Sequence, residues 1–219
     1  MILRAAVLSV AGLLVLAGCG GDDDDSAASS PSVSPSASPA ASPSASAAAS
    51  GALSAENLIR ERLYFDVTGH SFTKADPDPK QALGPCTGES LFADALPVQG
   101  LTQISSRLLG AEDGLHVIEQ LAQMKAPNEA RTAADEIVSL VDECAAISGG
   151  DFGYGDPVTV VSEADRKVVY FPAYDSDRAF GGYVVFSVGS RVGVIDVADT
   201  VSVAQVAKLA EQAATIAGD

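Results

Sequence analysis

Hydrophobic and polar residues alternate along this chain with a spacing that changes from segment to segment, and each change of spacing predicts an element. An unbroken apolar run from Ala5 to Leu16 comes first. From Gly20 to about Gly51 the residues are Asp, Ser, Ala and Pro, with almost nothing to bury. Past that stretch the pattern becomes that of a folded domain. Ala55 to Leu63 reads as a short helix with Ser54 as its cap. Leu101 to Leu109 and Leu115 to Met124 read as strands flanking the turn Gly110-Ala111-Glu112-Asp113-Gly114. From Pro127 to Ile147 one apolar stripe collects Ala130, Ala134, Ile137, Val138, Val141 and Cys144, opposite a charged face of Asp135, Glu136, Asp142 and Glu143. Pro127 suits the first helical position, where its missing N–H is no loss.

Further strands are expected near Val158 to Val161 and Lys167 to Phe171. A hairpin then turns on Gly189-Ser190, with glycine where a type II′ turn demands it. That turn sets Val185 opposite Val194 and Val184 opposite Ile195, so both faces are apolar and the pair belongs in the middle of a covered sheet. Ser202 and Gln205 form a capping box, Val201 and Val206 a hydrophobic staple. The helix they open carries Val203, Val206, Leu209, Ala210, Ala213 and Ile216 and stops at Gly218. Two strand–strand–helix units therefore recur, like a crude internal duplication. They predict an α+β single domain: a central antiparallel sheet built from two such halves, with helices packed on it.

The apolar run at the front is too short for the roughly 30 Å hydrocarbon core of a membrane. Arg4 precedes it and Leu16-Ala17-Gly18-Cys19 follows, the lipobox order of an exported bacterial lipoprotein. The segments are then 1–18, a signal peptide; 19–52, lipidated Cys19 with a disordered tether; and 53–219, the extracytoplasmic domain. Each buried methylene of the acyl chains (palmitate, for example) adds roughly 0.8 kcal/mol to anchoring. Ser-Pro-Ser-Ala repeats cannot offset chain entropy by burial. Thirty such residues reach on the order of 90 Å when extended.

The chain carries 13 Lys plus Arg against 29 Asp plus Glu, a net charge of -16. Phosphate backbones and anionic lipid are poor partners for such a surface, which leaves nucleic acid out and the lipid anchor as the tie to the cell membrane. In an oxidising compartment the two other cysteines, Cys86 and Cys144, form an even pair. A bridge would close a loop of about 58 residues and stabilise by roughly 4 kcal/mol. Two free thiols or a two-cysteine metal site are the alternatives.

Chemistry is sparse. There is no nucleophile elbow, zinc-protease helix, P-loop or dinucleotide fingerprint, and no cofactor or metal site is expected. The two histidines are His70, in a turn-like stretch, and His116, in a strand. His116 beside Ser105 or Ser106 would imitate part of a hydrolase, a coincidence common in serine-rich strands. Gly149 to Pro157 is glycine-rich and presents Phe152 and Tyr154, suited to a ring or sugar or simply to a connector. Tyr170, Phe171, Tyr174, Asp175, Asp177, Arg178, Phe180 and Tyr183 make a second patch. The candidate ligand residues are Tyr154, Tyr170, Tyr174, Arg178 and Tyr183.

The helix ending on Cys144, the turn Asp113-Gly114 with its strand, and the Gly-Ser-Arg-Val-Gly-Val-Ile hairpin at 189–195 leading to an alanine-rich helix together resemble one family. It is the extracellular sensor domain of actinobacterial PknH-like kinases and of lipoproteins that carry the same domain. The resemblance covers most of Leu53 to Asp219. It implies a cleft-bearing extracytoplasmic domain that binds a ligand, with no catalytic residues to carry over; the favoured expectation is a non-enzymatic module for a small molecule or cell-wall component. Members carry two disulfides, whereas this chain has cysteines for one. The alternatives are a lipoprotein that docks an envelope protein partner and, less favoured, a hydrolase with an unrecognised site.

Overall fold

The structure, a computed structural model, describes residues 51–84, 88–97, 101–147 (side chains to 143) and 152–219. Cys19, the tether before Gly51, Cys86, the side chain of Cys144 and residues 149–151 lie outside the described residues, and the Cys86–Cys144 bridge with them.

The domain begins with a 3-10 turn at Ala55–Asn57, followed by helix α1 (Glu61–Thr68), strand β1 (Thr73–Ala75) and a second 3-10 turn at Phe92–Ala95. Next come β2 (Gln103–Leu109), β3 (His116–Gln123), α2 (Pro127–Ile147), β4 (Phe152–Tyr154) and β5 (Val158–Ser162). The chain ends with β6 (Arg166–Asp175), β7 (Arg178–Val188), β8 (Arg191–Ala198) and α3 (Val203–Gly218). Among the described residues eight strands form one antiparallel sheet ordered β1-β2-β3-β8-β7-β6, and β4 and β5 pair with opposite ends of β6. This is the α+β single domain that the hydrophobic pattern predicts.

Both strand–strand–helix units are present, joined where β3 meets β8. They differ in which face the helix takes. α1 and α3 cover the face built by Val117, Leu121, Ile195, Val184 and Tyr170. α2 covers the other, with Ala122, Val194, Val185 and Phe171. A twofold axis exchanging antiparallel neighbours would leave both helices on one face, so the likeness is one of element order. The reason lies in β7 and β8: apolar on both sides, each strand needs a cover above and below.

Local chemistry explains where elements start and turn. The Ser202–Gln205 capping box is formed as the sequence predicts. Val184 pairs with Ile195 and Val185 with Val194 across the 189–190 turn, where Gly189 has φ 53° and Ser190 keeps an ordinary negative φ, as type II′ requires. The expected helix over Ala55–Leu63 is corrected. Ser54 does cap, but the Asn57 side chain closes a capping box after a single 3-10 turn. Leu58 and Ile59 then run extended into the core, only 4% and 2% exposed, and the Ile59 N–H donates to Glu119 Oε2 at 2.6 Å. The chain becomes helical again only at Glu61.

One irregularity matters for the site. Between Pro172 and Tyr174 the β6–β7 register slips: Pro172 faces Gly182, whereas Tyr174 faces Ala179. Gly181, with φ +72°, occupies this bulge, and a Cβ there would lie 2.0 Å from the Val197 carbonyl oxygen. Only glycine fits such an approach. The bulge bends β7 beside β8 and brings Phe180 into the wall of a cavity.

Candidate functional site

At the end of the α2-covered face, β4, β6, β7 and β8 and the start of β3 line an open-mouthed cavity of about 260 Å³. Phe152 and Tyr154 come from β4, Ala173 from β6, Phe180 from the bulge, and Asp196, Val197 and Ala198 from β8. Gly114 and His116 close the end next to the β2–β3 turn. Each contribution has a local cause. β4 lies on the edge because its glycine-flanked residues pair only with Ala173–Asp175. Asp196 faces inward because its neighbours Ile195 and Val197 belong to the opposite core.

His116 is the polar group whose state is best defined. Its Nδ1 lies 3.0 Å from the Gly114 carbonyl oxygen and its Nε2 3.2 Å from Asp196 Oδ2. Both partners are acceptors, so a ring that satisfies both must donate twice, as an imidazolium. In agreement, its pKa is raised, first by the hydrogen bond to Asp196, against desolvation and the weaker influence of Arg107. The pair is partly shielded, with side chains 28% and 20% exposed.

The five candidate ligand residues do not converge. Tyr154 is in the cavity wall, edge-on to Phe152 at 5.6 Å and to Phe171 and Tyr183 at 6.4 Å each. Its hydroxyl is buried without a hydrogen-bond partner, and burial, then the charge of Asp196, raises its pKa. Tyr183 is fully buried, its hydroxyl donating to the Leu83 carbonyl. Tyr170 belongs to the opposite core and donates to the Gly181 carbonyl at 2.7 Å, which ties down the bulge. Tyr174 is half-buried beside Gly155, and Arg178 is exposed at the start of β7. Tyr170 and Tyr183 are thus core residues with satisfied hydroxyls. His116, Phe152 and Phe180 were visible in the sequence in other settings. Asp196 carried no sequence signal, because its role follows from the β3–β8 pairing.

The serine–histidine coincidence is resolved by register. Ser106 sits opposite Glu119 and Ser105 opposite Gln120, while His116 faces Leu109. Ser106 therefore points to the other face of the sheet, and Ser105 lies roughly 13 Å along it from His116. The second histidine, His70, brings its Nδ1 to 2.8 Å from Asp199 Oδ2, which also accepts the Tyr64 hydroxyl at 2.6 Å. This buried aspartate ties α1 and the loop after it to the end of β8. Among the described residues no group of His, Cys, Asp and Glu could hold a metal ion, and no helix is long and apolar enough to cross a membrane.

No family model matches the chain, and no curated protein matches it. Among solved structures it is similar to the crystal structure of the extracellular domain of PknH from Mycobacterium tuberculosis. The TM-score is 0.50 at 14% identity, over 73% of this chain and 91% of that one. At that identity the likeness is one of fold.

Proposed function

We propose that this chain is a lipid-anchored, extracytoplasmic, non-catalytic lipoprotein whose sensor-like domain captures a small molecule in the cavity beside β4. The lipobox at Cys19 supports the anchoring. The PknH likeness supports an extracellular, sensor-like domain. The observation that carries ligand capture is the cavity itself. Three aromatic side chains and several small aliphatic ones wall about 260 Å³, beside the His116–Asp196 pair. Apolar hollows with a few placed polar groups are where small ligands bind, and an engineered cavity of about 150 Å³ already holds benzene.

The test is to fill the hollow. Ala198 is in its wall, and Ala198→Leu adds a branched side chain there. Small aromatic compounds are expected to raise the melting temperature of the full chain and to lose that effect in the Ala198→Leu variant. Equal shifts in both proteins would place binding elsewhere and contradict the reading.

A further inference from the structure

We infer that the cavity beside β4 selects organic cations: small molecules with an apolar or aromatic body and a protonated amine, the amine set against Asp196. The inference rests on the reading that this cavity captures a ligand.

Three observations carry it. The first is the walls. Phe152, Tyr154 and Phe180 surround the hollow, and the faces of aromatic rings are negative and attract cations. The second is the acid in the described lining, Asp196. Asp196 Oδ2 accepts from His116, and Oδ1 has no hydrogen-bond partner among the described residues, so one carboxylate oxygen remains for a ligand donor. The third is the field. A chain of net charge -16 enriches cations at its surface and repels anions. Among the described residues that line the cavity, His116 is joined by no lysine, arginine or glutamate.

The groups facing Asp196 set a pH dependence. From β3, the His116 imidazolium offsets its charge. From β2, Arg107 lies two positions across the sheet, beyond Ile118. From β4 and β7, the hydroxyls of Tyr154 and Tyr183 are held protonated, chiefly by burial. His116 is thus the group that changes. When it loses its proton, its positive charge is withdrawn from beside Asp196 and the carboxylate's charge is left to the ligand amine. Cation affinity should rise with pH, and a neutral analogue should not follow it.

The experiment compares three probes of one shape on the full chain by calorimetry: benzylamine, benzyl alcohol and benzoate. Benzylamine is expected to bind about tenfold more tightly than benzyl alcohol, with benzoate weakest. The preference should widen from about pH 5.5 to about pH 8.5 as histidine deprotonates, and Asp196→Asn should remove it. The wild-type comparison and its pH profile stand even where that variant folds poorly. Benzyl alcohol or benzoate binding as tightly as benzylamine would overturn the cation inference and leave capture by the cavity intact. Failure of all three to bind would overturn both.

Discussion

Glu119→Gln is expected to raise stability by no more than about 1 kcal/mol near pH 5 and by a few kcal/mol at pH 8 and above. Glu119 is completely buried. One of its oxygens accepts the Ile59 N–H, while the other has no partner, and neither has the Ser106 hydroxyl directly across the strand pair. Burial, opposed by the Ile59 bond, pushes its pKa from 4.5 to about 8. Between those values the folded state holds a proton that the unfolded chain has released. The contribution of Glu119 to stability is therefore greatest below about pH 4.5, falls as pH rises through that window, and stays low above about 8. Glutamine cannot ionise. It keeps an oxygen for Ile59 and presents an NH₂ toward the Ser106 side of the pair. Urea unfolding of both proteins from pH 5 to pH 9 reads the difference; curves that run parallel would mean that Glu119 does not titrate in this range.

The second large effect is expected from Arg191→Met, about 3 kcal/mol of destabilisation. Arg191 is 1% exposed, yet its guanidinium is occupied on three sides. Nε donates to Gln123 Oε1 at 3.2 Å, Nη2 to the Gly51 carbonyl at 2.9 Å, and Nη1 to the Ala217 carbonyl at the end of α3. It therefore satisfies a terminal carbonyl that the helix itself cannot, and it holds the start of the domain to its last helix. Methionine fills similar space but abandons these acceptors, and an unsatisfied buried polar group costs roughly 1–3 kcal/mol. Urea unfolding at neutral pH measures the change, and a cost below about 1 kcal/mol would show that packing alone retains this corner.

Elements set by local rules were legible in the sequence. The span of α2, the Ser202–Gln205 box and the β7–β8 register all follow from residues close together in the chain, where periodicity, capping and turn chemistry agree. Elements settled by distant contacts were not. The Ala55–Leu63 helix is interrupted because Glu119, sixty residues on, takes the Ile59 N–H. The tyrosines show the same limit. Tyr170 and Tyr183 read as candidates for a wet cleft, but pairing places them in opposite cores. The cavity was half visible, through Phe152, Tyr154, Phe180 and His116. Its acid, Asp196, becomes part of it only when β8 lies against β3. No local pattern announces that neighbour.

Capture of a ligand outside the cell requires that the chain be exported and held there. The most direct measurement is the mass and location of the mature protein from its native membrane. The expected result is a chain starting at acylated Cys19, recovered with the membrane and cut by protease added outside intact cells. A full-length chain still starting at Met1, recovered from the cytosol and shielded from that protease, would contradict it.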